Sequence, residues 1–180
     1  MRVIAGKYKG RKLFGPKDNG FRPTLDRVKE SIFNVLGGDL IDSVVLDLFC
    51  GTGALGIEAI SRGAMRATFV DNDKSILNIA QKNAVSLGIE RKTKYFISDV
   101  FDFMKNLADS SADIVFADPP YDNAYGSAII RGVVDNNMLH PGGILVLERF
   151  KKDIPQADGF KLAKTLKFGQ TEVDFYIREE

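Results

Sequence analysis

Apolar runs of strand length alternate along this chain with stretches in which apolar residues return every three or four positions. The runs are Ser43–Cys50, Ala67–Asp71, Lys94–Ser98, Asp113–Asp118 and Ile144–Arg149. Short, nearly continuous apolar runs are what parallel strands covered on both faces require. Between them the spacing predicts helices. One runs from Gly53 to Arg62 and is closed by Gly63. A second is capped by Asp73, carries the stripe Ile76, Ile79, Ala80, Asn83 and Leu87, and is closed by Gly88. A short third helix lies around Phe101–Leu107, and a fourth spans about Ala124–Asn137. Pro141-Gly142-Gly143 reads as a turn into the fifth strand.

The two ends depart from this alternation. Residues 2–14 alternate partly and are broken by Gly6 and Gly10, which predicts a small β-hairpin. Residues 15–23 form a Gly/Pro/Asn loop. Thr24 is an N-cap for a helix reaching about Leu36, with Val28, Ile32, Val35 and Leu36 on one face and Gly37-Gly38 as its stop. At the far end, Phe160–Leu166 and Thr171–Ile177 read as two antiparallel strands. Five strands alternating with helices demand a mostly parallel sheet with helices on both faces, because parallel neighbours need crossover connections. The closing hairpin adds an antiparallel edge, giving an α/β fold with a seven-stranded sheet. The expected division is an extension over residues 1–38 and a main domain over 39–180.

Composition narrows the class. The chain has 180 residues, 44% hydrophobic and 27% charged, which suits one compact domain with an extension. No apolar run approaches the length of a bilayer span, and MRVIAGKYKGRK lacks the apolar core of a signal peptide. With one cysteine no internal disulfide can form, and with one Cys and one His no metal-ligand spacing exists. A cytoplasmic monomer without a metal is expected. The net charge of +1 conceals an asymmetry. Residues 1–29 carry nine basic groups against two acidic, whereas residues 30–180 carry sixteen against twenty-two. A basic arm on an acidic body fits a polyanionic partner held at one end, or else a merely solvated tail.

The first strand runs into Asp47-Leu-Phe-Cys-Gly51-Thr-Gly53-Ala-Leu-Gly56. Glycines here let the backbone turn sharply and approach a ligand, and the helix N-terminus offers free N–H groups. Read literally, the spacing also satisfies a dinucleotide fingerprint. Asp47 favours another ligand, since a carboxylate four residues before the first glycine repels a pyrophosphate but suits an ammonium group. D-x-F-x-G-x-G resembles the first motif of class I methyltransferases, where the loop lies against the methionine part of S-adenosylmethionine. Phe49 is a cofactor or core contact. Asp71, ending the second strand, is placed for ribose hydroxyls. The resemblance implies that Asp99 and Val100, after the third strand, meet the adenine. A plain N-cap is the other reading of Asp99.

Asp118-Pro119-Pro120-Tyr121 ends the fourth strand. The tetrapeptide resembles the [DNS]-P-P-[YFW] motif of methyltransferases acting on planar amines: adenine N6, cytosine N4 or guanine N2. An exocyclic base amine is a poor nucleophile because its lone pair is delocalised into the ring. A carboxylate (Asp118) and a carbonyl (Pro119) accepting its N–H groups direct the lone pair and stabilise the charge that grows on nitrogen. The prolines, Pro120 included, fix the loop and add no competing donor. Tyr121 offers a stacking face worth about 1–3 kcal/mol.

Arg22-Pro23-Thr24, Arg27, Glu30 and Phe33-Asn34, together with Arg2-Val-Ile-Ala-Gly and Gly10-Arg11-Lys12-Leu13, strongly resemble the RsmD family of bacterial 16S rRNA guanine-N2 methyltransferases, over nearly the whole chain. The resemblance implies a Rossmann-like class I methyltransferase fold, S-adenosylmethionine as cofactor and a guanine in 16S rRNA, on the small ribosomal subunit or its assembly intermediate, as target. It further implies phosphate contacts from the basic hairpin (Lys7, Lys9, Arg11, Lys12) and from Arg22 and Arg27, and a place for Asn34 at the cofactor pocket. The rival readings are an adenine-N6 methyltransferase, a nicotinamide-dependent oxidoreductase and a non-catalytic RNA-binding assembly factor. Cys50 reads as packing, His140 as a turn residue, and Tyr125 as a clamp on the base or a packing residue.

Overall fold

The computed structural model describes residues 1–16, 26–106, 112–120 and 125–180. Helices α1 (Asp26–Leu36), α2 (Ala54–Ser61), α3 (Lys74–Leu87), α4 (Val100–Asn106) and α5 (Gly126–Asp135) cover a sheet of seven strands. The strands are β1 (Val44–Leu48), β2 (Arg66–Asp71), β3 (Thr93–Ile97), β4 (Ala112–Ala117), β5 (Leu139–Phe150), β6 (Phe160–Phe168) and β7 (Thr171–Arg178). Their order is β3-β2-β1-β4-β5-β7-β6. The first five are parallel, and β7 runs antiparallel between β5 and β6.

Alternating side chains of the central strands divide the core in two. Val45, Phe69, Ile114, Phe116 and Val146 pack beneath α1, α2 and α3. Leu46, Leu48, Val70, Val115 and Leu147 pack beneath α4 and α5. Coverage on both faces explains why these strands are apolar throughout rather than alternating. Helix ends follow the expected chemistry. Asp73 accepts the N–H groups of Ser75 and Ile76 at the start of α3, and Gly88, at φ 69°, closes it in the left-handed region that disfavours a side chain.

Four expectations change. The buried face of α3 is Leu77, Ala80, Asn83, Ala84 and Leu87, with Ile76 and Ile79 only half-buried, because the helix is turned toward β2 and β3. Pro141-Gly142-Gly143 lies within β5 instead of before it, where a register shift between Ala112 and Ile114 of β4 absorbs the irregularity. The N-terminal hairpin reduces to one bridge, Arg2 with Lys12, because the next N–H groups, of Ile4 and Ala5, point instead to the Glu58 carboxylate. The last helix begins at Gly126. Thr24, Leu107 and most of the 15–23 loop fall outside the described residues.

Candidate active site

Parallel pairing brings the C-terminal ends of β1 to β5 to one edge. Leu48 sits between Val70 and Ala117. The next positions, Phe49, Asp71 and Asp118, therefore emerge side by side, with Ser98 and Asp99 beyond Asp71. β1 connects to β2 on one side and has β4 on the other, so the strand order reverses between β1 and β4. Open α/β sheets bind ligands at such a reversal, outside the carboxyl ends of the strands.

The β1 loop is held open by backbone conformation and by two carboxylates. Phe49, Gly51 and Gly53 have φ of 57°, 53° and 79°; a left-handed phenylalanine is a strained arrangement of the kind that collects at functional sites. The Gly51 N–H donates to Asp71 Oδ2 at 2.9 Å, and Asp71 Oδ1 accepts the Asp73 N–H at 3.0 Å. Asp47, 2% exposed, accepts the Gly56 N–H at 2.8 Å on Oδ2. Among the described residues only Tyr95 Oη is a fully enclosed side-chain polar atom without a partner, so Asp47 Oδ1, which makes no hydrogen bond, retains an opening. Burial pushes the Asp47 carboxyl up to about 8, against the Gly56 hydrogen bond, which lowers it, and with Asp71 adding to the rise. Gly56 is required by packing: a Cβ there would lie 2.5 Å from the Phe69 ring and 3.1 Å from Asp47 Oδ2. No side chain caps α2. The Cys50 thiol is raised by burial, first, and then by Asp47 and Asp71, as befits a packed and unreactive sulfur.

Around the loop stand three rings. Phe49 stacks with Tyr125 (6.3 Å between centroids) and meets Phe101 edge-on, and Phe101 lies 5.3 Å from Tyr125. Asp99 is exposed and caps α4, with Oδ1 accepting the N–H groups of Phe101 and Asp102, and Val100 is buried. At the tip of β4, Asp118 is half-buried, Pro119 buried and Pro120 exposed. Tyr121 lies outside the described residues. The chain returns at Tyr125 and is fastened there. Asp153 Oδ2 accepts the Gly126 N–H at 3.2 Å and Ser127 Oγ accepts the Gln156 N–H at 3.0 Å. Arg149 supports this segment by donating to the Asp153 carbonyl at 2.7 Å while bound to Asp174 and Glu172 at 2.6 and 2.8 Å.

The basic residues of the N-terminal segment divide differently. Lys7, Lys9, Arg11, Lys12 and Arg27 are exposed, with Arg11 donating to the Ser86 carbonyl at 2.7 Å. Asn34 is exposed on α1, and Arg22 is outside the described residues. The segment is held by Glu58, fully buried on α2. Its carboxylate accepts the N–H groups of Ile4 and Ala5 (2.8 and 2.9 Å) and pairs with Arg62 at 2.8 Å and Lys29 at 3.4 Å. Gly6 is pressed against α2, where a Cβ would overlap the Ser61 carbonyl. Sequence reasoning passed over Glu58, Lys29 and Arg149. The signal for the first two was a charge inside an apolar helical stripe. At the opposite edge of the sheet, Asp39, Asp42, Asp113 and His140 line a cleft of about 330 Å³. Among the described residues no group of His, Cys, Asp and Glu is arranged to hold a metal ion, and no helix is long and apolar enough to cross a membrane.

The family model described as Conserved hypothetical protein 95 matches residues 1–177. The ribosomal RNA small subunit methyltransferase D of Haemophilus influenzae is 38% identical over 157 residues, covering 86% of this chain and 81% of that protein. The enzyme of the same name from Escherichia coli K12 is 33% identical over 181 residues, covering 99% and 90%. The solved structure of the Escherichia coli protein yhhF superposes with a TM-score of 0.90 at 32% identity, covering 99% of this chain and 98% of that one. An RNA methyltransferase from Salinibacter ruber, solved in complex with S-adenosyl-L-homocysteine, shares the fold at a TM-score of 0.64 and 22% identity, covering 88% and 95%.

Proposed function

Because the chain belongs to the Conserved hypothetical protein 95 family and is similar to small-subunit rRNA methyltransferase D proteins over 81% and 90% of their length, we propose that it methylates the exocyclic N2 amine of a guanine in 16S rRNA, with S-adenosylmethionine as donor. One observation carries this reading. Asp118 and Pro119 end β4 at the reversal of strand order, directly beside Phe49 and the glycine loop of β1.

The residues present suit the cofactor. The left-handed loop of Phe49, Gly51 and Gly53 leaves the start of α2 without a side-chain cap. Asp47 can ionise beneath that loop when an ammonium reaches it, Asp71 offers acceptors to a diol, and Asp99 and the adjoining Val100 border the place for an adenine. When bound, the cofactor supplies a methyl group on a sulfonium. The Asp118 carboxylate and Pro119 carbonyl accept the two N–H groups of the base amine. This directs the nitrogen lone pair and stabilises the positive charge that builds as the new N–C bond forms. Tyr121, and the Phe49–Tyr125 pair, provide faces for the base. The target guanine must be extruded or already lie in a loop, since a stacked and paired base cannot reach the strand tip. In this reading residues 1–38 are the RNA-contacting extension, with Lys7, Lys9, Arg11, Lys12, Arg22 and Arg27 on phosphates, and residues 39–180 the catalytic domain.

The test is transfer of label from S-adenosylmethionine to isolated small ribosomal subunits, to 16S rRNA and to DNA, with nucleoside analysis of the product. N2-methylguanine in 16S rRNA is expected; label in DNA alone or in adenine would overturn the assignment. Asp118→Ala should abolish turnover, a loss of at least 100-fold by analogy with removing one transition-state hydrogen-bond partner, while RNA binding persists. Retained turnover would show that the amine is activated by another group.

A further inference from the structure

We propose that Lys151, Lys152 and Lys167 form a second phosphate-contacting surface for the RNA, at the β5–β6 end of the site edge; this rests on the reading of the chain as an rRNA methyltransferase. β5 is parallel to β4, so its end lies at the same edge as Asp118, and Lys151 and Lys152 follow directly. β6 is antiparallel to β7, which is antiparallel to β5, so the Lys167 end of β6 reaches that edge too. The Lys151 N–H donates to the Gln170 carbonyl at 3.0 Å and fastens the two turns together.

The charges at this corner are unequal in their availability. Asp174 is buried among Arg149, Tyr176 and Thr165. Glu172 is held by Arg149 at 2.8 Å and lies 3.9 Å from Lys167, whose side chain is 79% exposed. Asp153 is occupied by the Gly126 N–H. Lys151 and Lys152 are exposed, and among the described residues neither has a carboxylate within ion-pair distance. Residues 150–170 carry five lysines against two acids, whereas residues 30–149 carry ten basic groups against sixteen acidic. The acidic centre is thus bordered, at the β5–β6 end of the site edge, by a basic surface that a polyanion lying across that edge would meet.

The test uses full-length protein with Lys151→Ala, Lys152→Ala and Lys167→Ala combined, and 16S rRNA as probe. Wild-type affinity should fall with salt, and the triple variant should flatten the slope of log affinity against log salt by roughly 2–3 and weaken low-salt binding on the order of ten-fold. Its KM for RNA should rise at unchanged kcat, and its thermal stabilisation by S-adenosylhomocysteine should match wild type. Arg66→Ala, Arg91→Ala and Lys94→Ala together, at the opposite edge, remove equal charge and should change binding less. A triple variant with wild-type affinity and slope, or a control that loses as much, overturns the surface. So does a variant that self-associates while its monomer binds RNA normally, since lysines on an edge strand also block sheet-to-sheet pairing. Wild type that neither binds nor methylates 16S rRNA overturns the underlying reading instead.

Discussion

Two carboxylates are enclosed against helix α2, and the protein treats them in opposite ways. Glu58 is saturated: two backbone N–H groups, one guanidinium and one ammonium converge on it, and the arrangement fastens α1, α2 and residues 2–8 together. The Arg62 guanidinium on Glu58 also lies 4.9 Å from the centre of the Phe33 ring. Asp47, at 2% exposure nearly as deep, has the Gly56 N–H and no cation. Isolation of a charge in low dielectric is costly, and the raised Asp47 pKa expresses that cost. The saturated acid supports the fold. The unsaturated one stays costly until a cation reaches it, which is the expected property of a ligand site.

Breaking the saturated member should have the largest effect. Glu58→Ala leaves the Lys29 ammonium buried without its carboxylate, and Lys29 is already pulled below the ordinary lysine range by burial. Denaturant unfolding should show a loss of about 3–5 kcal/mol. Replacing both partners with apolar residues (Glu58→Leu with Lys29→Met) should recover most of it.

Asp47→Asn should act with the opposite sign. The folded carboxyl titrates at about 8 and the free one at 3.8. Below the lower value both states are protonated and nothing is lost. As pH rises from about 4 to about 8 the unfolded chain ionises first, so stability falls, and above the upper value the loss is constant. Asp47→Asn should remove that slope and stabilise the protein at pH 8 by roughly 1–3 kcal/mol, seen in melts across pH 5–9. It should also weaken S-adenosylmethionine, whose binding to wild type should release a proton below pH 8, measurable by calorimetry in buffers of different ionisation enthalpy. A pH-independent melting temperature in wild type would remove the distinction between the two acids.

The smallest effect belongs to the exposed counterpart. Arg2 and Asp26 pair at 3.2 Å with side chains 64% and 41% exposed. Asp26→Ala should shift stability by under about 1 kcal/mol and lose even that at high salt.

The contrast also explains what could be read from the chain. The strands and most helix ends were legible because their causes are local. Ser43–Cys50 is apolar since it is covered on both faces, and Gly88 ends α3 because a left-handed residue must stand there. The placement of Phe49, Asp71 and Asp118 along one edge followed from parallel topology alone. Glu58 shows in the sequence only as a charge inside an apolar helix; its partners are not legible there, because the N–H groups of Ile4 and Ala5 are more than fifty positions away and belong to residues with no sign of the contact in their identity. The same holds for Arg149, whose bond to the Asp153 carbonyl depends on a turn geometry rather than a motif. The buried face of α3 differs from the expected stripe at Leu77 because Ile76 and Leu77 fit a helical stripe almost equally well. Which of the two is covered is decided by the tilt of the helix on β2 and β3.

The attachment of residues 4 and 5 to residue 58 carries a timetable. At about 5–20 residues per second, roughly 3–11 s separate the synthesis of those residues from that of their carboxylate partner, with the emergence of Lys29 in between. For that interval the nascent arm has no seat. Completion of α2 supplies the carboxylate that seats the arm, and the seated arm keeps Lys7, Lys9, Arg11 and Lys12 exposed.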